Sequence, residues 1–160
     1  MDIDVVPIKI PENCNIILGQ THFIKSVEDL YEIMVTNVPV AKFGVAFSEA
    51  SGPCLIRAEG NDDALKSAAI ENVKNVASGH FFCIVMKDCF PINVLNAVKS
   101  CPEVASVFCA TANPVEVIVA QTVQGRGVMG VVDGFPPKGV EGPADVADRK
   151  GFLRKIGYKL

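Results

Sequence analysis

The chain holds two imidazoles, His22 and His80, and phosphoryl or proton chemistry near neutral pH would start with one of them. A neutral imidazole can act as a base or as a nucleophile that accepts a phosphoryl group. It can equally be a hydrogen-bonded structural residue, and composition does not separate these roles. His80 follows Gly79, where a helix is expected to end and an apolar strand to begin, a junction that can open onto a cleft. His22 lies in the turn-like run Gly19-Gln20-Thr21-His22-Phe23, also at a strand end. Spacing leaves both in play.

Carboxylates, amides and glycines at strand ends come next. Glu49 and Ser51, in Glu49-Ala50-Ser51-Gly52, offer a carboxylate and a hydroxyl at one such end. Asn113-Pro114 follows the small run Cys109-Ala110-Thr111-Ala112. It reads as an Asx turn or as an amide aimed at a base or ribose. Asp133-Gly134 is a turn, or a carboxylate for ribose hydroxyls. The run from Gly125 through Gly127 to Gly130 matches G-x-G-x-x-G. That fingerprint needs a helix after the glycines, to hold the pyrophosphate on its first amides. Here Val131-Val132-Asp133-Gly134 and two prolines follow, so a dinucleotide fold is excluded, although backbone at these glycines can still approach a ligand closely. No G-x-x-x-x-G-K-[ST] loop, protein-kinase signature set or G-x-S-x-G elbow occurs. Arg149, Lys150, Arg154, Lys155 and Lys159 crowd the C-terminus, where they complement a helix dipole.

The elements that must position these groups alternate. Strands are expected over Ile3–Ile10 and Asn15–Gln20, then a helix from Ser26 to about Asn37, stopped by Pro39. Lys42–Phe47 and Cys54–Glu59 read as strands around the turn Ser51-Gly52-Pro53. Asn61 can cap a second helix whose Leu65, Ala68, Ala69, Val73 and Val76 recur at three- and four-residue steps, with Gly79 closing it. His80–Met86 is continuously apolar, which predicts a central strand covered on both faces. Pro91 starts a helix facing inward through Val94, Leu95 and Val98. Val104–Ala110, Val115–Thr122 and Val128–Val132 are strands, and a last helix over about Asp145–Ile156 should bury Phe152, Leu153 and Ile156. The fold class is α/β, with α+β as the variant: one domain over 1–160, a mixed β-sheet covered by helices.

Composition narrows the function. The 160 residues carry 15 Lys and Arg against 18 Asp and Glu, a formal charge of −3 that argues against a nucleic-acid partner. The apolar stretch Phe81–Met86 is broken at once by Lys87 and Asp88, far short of a membrane span. Without a basic leader, the chain is expected to be soluble and cytoplasmic. Five of the six cysteines (Cys14, Cys54, Cys83, Cys89, Cys101, Cys109) sit in or beside apolar runs, which predicts reduced, mostly buried thiols. No Cys-x-x-Cys pair and only two histidines accompany them, so no metal is expected.

Six runs, in order along nearly the whole chain, resemble the adenosine-specific kinase family. They are Gly19–Ile24, Phe43–Gly52, Gly79–Phe82, Phe90–Leu95, Ala110–Pro114 and Gly130–Gly134. One departure is Ser48, where a cysteine is expected before Glu49. The resemblance implies a compact subunit of a homo-oligomer, a trimer favoured, that binds adenosine or AMP in preference to ADP or ATP. It also implies phosphorylation of a histidine, matched here to His80 with His22 as rival. On this reading Glu49, Ser51, Asn113, Pro114 and Asp133 orient base and ribose, while backbone near Gly130 and Gly134 approaches sugar or phosphate. No resident cofactor is implied, and Mg2+ enters only with the kinase activity. The alternative is a non-catalytic, oligomeric sensor of AMP or adenosine. At −3 net charge, local amides or Arg57 must attract an anionic ligand.

Overall fold

The computed structural model describes Met1–Leu160 throughout. The chain runs β1 (Asp2–Pro7), β2 (Cys14–Thr21), α1 (Ser26–Asn37), β3 (Lys42–Ser48), β4 (Ile56–Gly60), α2 (Asp63–Val76), β5 (Phe81–Lys87), α3 (Leu95–Ser100), β6 (Val104–Thr111), β7 (Val115–Gln121), β8 (Arg126–Asp133) and α4 (Pro143–Lys155). A short 3-10 turn over Pro91–Asn93 leads into α3. The mixed domain of strands and helices is the one expected. Its strands divide between two sheets, a five-stranded one in the order β4-β3-β5-β2-β6 and a three-stranded one in the order β1-β7-β8, with every pairing antiparallel.

The five-stranded sheet is buried on both faces, which explains the unbroken apolar run of β5 at its centre. Phe81, Cys83 and Val85 of β5 face α2 and the smaller sheet, while Phe82, Ile84 and Met86 face α1 and α3. Phe43, Phe47, Phe81 and Phe82 are fully buried, each contributing about 1.5–3 kcal/mol. Gly44 lets α2 lie directly on β3, since a Cβ there would stand 2.3 Å from the Lys66 backbone.

Several boundaries differ from the expected ones, each for a local reason. Asp62 caps α2, its carboxylate accepting from Leu65 N–H at 3.0 Å. Asn61 instead bridges strands, accepting from Phe43 N–H and donating to the Ala41 carbonyl. The C-cap of α2 is Ala77 in the left-handed region, φ 51°, ahead of Gly79. β4 starts at Ile56 because Cys54 is left-handed, φ 49°. Ser26 spends its hydroxyl on Thr21, both buried, so α1 has no side-chain cap. The expectation that α4 buries Phe152, Leu153 and Ile156 is corrected: the helix buries no residue, and Phe152 is 58% exposed. Six of its thirteen residues are charged, and it projects from the core instead of covering it.

Candidate active site

His80 sits between the end of α2 and the start of β5, at a bend the backbone must make to enter the sheet. Its φ is 62°, a left-handed conformation that a non-glycine residue adopts at a cost of about 1–3 kcal/mol. Two strand ends hold it there. His80 N–H donates to the Ser48 carbonyl at 2.8 Å, and the His80 carbonyl accepts from Thr21 N–H at 2.9 Å. The half-buried ring stacks on Phe47, with centroids 5.8 Å apart.

The ring looks into a cavity of about 790 Å³, within the range of small-ligand sites. Three structures wall it: the turn after β3, the end of α2, and the hairpin between β7 and β8. Its charged lining is Glu49, Lys74 and Arg126, a net +1. Glu49 is engaged: Leu55 N–H donates to Oε2 at 2.8 Å, and Arg57 donates to Oε1 through Nε at 3.1 Å and Nη2 at 2.9 Å. The Leu55 N–H first, and then Arg57, hold the Glu49 carboxyl below its ordinary value. Arg57 is therefore not a free anion receptor, contrary to the expectation. The cations at the cavity are Lys74, which forms no ion pair, and Arg126. Arg126 is anchored by Nε to the Val76 carbonyl and by Nη1 to Asp4, leaving Nη2 outside these bonds. Gly125 and Gly127 flank it with open space around their Cα atoms. The glycine run that fails as a dinucleotide fingerprint thus delivers backbone and a guanidinium to the cavity.

The structure brings together His80 and Glu49, with Ser51 exposed in the neighbouring turn. The expected single constellation does not form within the chain. Asn113, Pro114, Asp133 and Gly134 cluster at the other end of β7 and β8, about 20 Å away along the strands. There Asn113 Nδ2 donates to Asp133 Oδ1 at 3.2 Å, and Gly134 N–H to the Pro114 carbonyl at 2.9 Å. Gly130 is mid-strand opposite Ile118, on the outer face of the smaller sheet. His22 is exposed in its turn, stacked on Phe23, and lines no large cavity. Lys74, Arg126, Gln20, Thr122 and Gln124 were not singled out from the sequence. Arg126 stood inside the glycine run, and the others carry no local signal.

A second, larger cavity of about 990 Å³ lies at the opposite end of β2 and β5. It is lined by Asn13, Asn15, Cys14 and Cys89 with Ile8, Ile10 and Phe90, and its charged residues are Glu12 and Asp88, a net −2. Size favours it, whereas charge and the absence of an imidazole count against it for a phosphate-bearing ligand. All five non-glycine residues with positive φ line one cavity or the other: Cys54, Ala77 and His80 here, Asn13 and Asp88 there.

Cys54 is the exposed thiol; the other five are buried, as expected of small hydrophobes. Burial pushes Cys83 up to about 12 and Cys89, Cys101 and Cys109 up to about 11.

Fold and site together define a small-ligand-binding domain of two antiparallel sheets, with an imidazole and two cations converging on a strand-end cleft. Comparison with known proteins gives the particular family. The family described as adenosine specific kinase matches residues 6–159, and the chain belongs to it. The crystal structure of the PH1918 protein from Pyrococcus horikoshii OT3 superposes with a TM-score of 0.95 at 44% identity, covering 99% of this chain and 98% of that one. No curated protein matches. The function is adenosine-related, and no helix is long and apolar enough to cross a membrane.

Proposed function

We propose that the chain is an adenosine-directed phosphotransferase in which His80 carries the phosphoryl group and AMP is the product. The observation that carries this reading is the placement of His80, half-buried and stacked on Phe47, in a cavity that also presents Lys74 and Arg126. In the first step a ring nitrogen attacks the terminal phosphorus of a nucleoside triphosphate. The N–P bond forms as the bond to the nucleoside diphosphate breaks, and the ring keeps its other proton. In the second step the 5′-hydroxyl of adenosine attacks that phosphorus. The O–P bond forms, the N–P electrons return to the imidazole, and the hydroxyl proton passes to solvent. Lys74 and Arg126 Nη2 offset the charge on the transferring oxygens. Gln20, Thr122 and Gln124, with Glu49, are the polar groups within reach of base and ribose.

The lining does not fit a resident Mg2+. Its one carboxylate, Glu49, is already held by Leu55 and Arg57, whereas Mg2+ is ordinarily held by free carboxylates together with substrate phosphates.

The active form is a homo-oligomer, with a trimer favoured. Ile3, Val5, Met129 and Val132 on the smaller sheet and Phe152, Ile156 and Tyr158 around α4 are exposed apolar side chains that nothing in the chain covers. Light scattering should give three times 17.1 kDa.

The test is incubation with ATP, Mg2+ and adenosine, read by intact mass and by product analysis. A phosphoryl adduct and AMP should form with the natural protein and with His22→Ala, and neither with His80→Ala. An absent adduct and absent AMP, with adenosine or AMP still bound in calorimetry, would replace this reading with that of a non-catalytic sensor.

A further inference from the structure

Outside that cavity, α1 and the loop before β6 bring together three groups that the proposed reaction does not use. These are the carboxylates of Asp29 and Glu103 and the thiol of Cys101, whose ligating atoms all lie within 4.8 Å of one another. The Glu103 side chain is only 5% exposed, yet its Oε1 has no hydrogen-bond partner. Its Oε2 accepts from the Cys101 thiol at 3.2 Å. Two adjacent carboxylates, one of them out of water, need positive charge. They have one ammonium. Lys25 Nζ bonds Asp29 and stands 3.6 Å from Glu103 Oε1, beyond hydrogen-bonding distance. With both carboxylates ionised the cluster carries −2 + 1 = −1. The Lys25 side chain is 57% exposed, so it is free to swing away. A groove of about 460 Å³, lined by Asp29, Cys101 and Glu32 among others, leads in from solvent.

We propose that Asp29, Cys101 and Glu103 form a binding site for a thiophilic divalent cation of the zinc class, with Lys25 as the internal counter-ion that leaves when the cation enters. Zinc lies about 2.3 Å from sulfur and about 2.0–2.2 Å from oxygen, so donors around one tetrahedral ion are roughly 3.3–3.7 Å apart. The three donors already approach that spacing, and a contraction of about 1 Å completes it. The fourth position faces the groove and takes water or Glu32. Until the cation arrives the Cys101 thiol donates its hydrogen to Glu103 Oε2. On entry the S–H bond breaks, the sulfur–metal bond forms, and one proton goes to solvent. The soft thiolate selects zinc-like ions over Mg2+. The site is well placed to stiffen the region beneath His80. The Glu103 carbonyl accepts from His22 N–H at 3.1 Å, and the preceding residue, Thr21, holds the His80 carbonyl.

Cobalt(II) is the probe, added to the full-length, reduced protein and followed by absorption, with Zn2+ as competitor. One equivalent should produce a thiolate-to-cobalt charge-transfer band that Zn2+ removes and that Cys54→Ser leaves intact. Cys101→Ser should abolish the band, and Glu103→Gln should weaken cobalt binding at least about tenfold. Lys25→Met, with its folding checked by circular dichroism, should tighten binding, because it removes the counter-ion that the cation must displace. A missing band at saturating cobalt would overturn the proposal. So would a band that survives Cys101→Ser, one that vanishes with Cys54→Ser, or a Lys25→Met variant that binds no more tightly.

Discussion

The two ends of the strands β2 and β5 each open into a large cavity, and the two cavities are built alike but charged oppositely. Both are bounded by strand ends and both contain left-handed residues, His80 in one and Asp88 in the other. The end with Lys74 and Arg126 carries a net +1 in about 790 Å³; the end with Glu12 and Asp88 carries −2 in about 990 Å³. A strand framework offers a cleft at either end at no extra cost. What distinguishes the proposed phosphate site from the other cavity is the side chains that the α2 terminus and the β7–β8 hairpin bring to it. The chain as a whole is acidic, so the positive end is a local arrangement that net charge conceals.

Substitutions at the two ends break or sharpen this contrast. The largest effect is at the imidazole: His80→Ala should abolish the phosphoryl adduct, while Asp88→Asn at the opposite end should leave its yield unchanged in intact mass spectra. Next comes Lys74→Met, which should weaken AMP about tenfold in calorimetry, the loss of roughly one charge-assisted contact, with adenosine affinity unchanged. Asn15→Ala should alter neither. Smaller again is Gly134→Ala at the distal turn. Its φ of 67° and a Cβ 3.1 Å from Asn113 Nδ2 predict about 1 kcal/mol lost in chemical denaturation, with AMP affinity intact.

The smallest is a pH effect. The Leu55 N–H and Arg57 keep the Glu49 carboxyl below its ordinary 4.5 in the folded chain, so the ionised form favours folding. That contribution is fully present above pH 4.5 and fades as pH falls through the folded value. Glu49→Gln should therefore lower the neutral plateau slightly and flatten the acid side of the stability curve, the two proteins converging as pH falls through the folded value.

The framework was largely legible in the sequence because its signals are local. The apolar run of β5 announced a strand covered on both faces, and the three- and four-residue steps in α2 announced its buried side. The site was half legible. His80 and Glu49 mark strand ends, and strand ends can be read. Which ends meet depends on pairing, and the antiparallel register sends Asp133 to Val115 but Arg126 to Gln121, so residues close in sequence stand at opposite ends of the strands. Lys74 was invisible for a different reason: on the sequence it is an ordinary basic residue in the last turn of a helix. In α4 the apolar residues near the helix end carry no local sign of what they face, and the helix lies off this chain's own core.

The central claim is that the His80 end receives the phosphate-bearing ligand, and a crystal structure of the AMP complex tests it most directly. The phosphate should lie beside the His80 ring, between Lys74 and Arg126, with the cavity near Asn15 and Asp88 free of nucleotide. Electron density for AMP in that second cavity, with none at His80, would contradict the account.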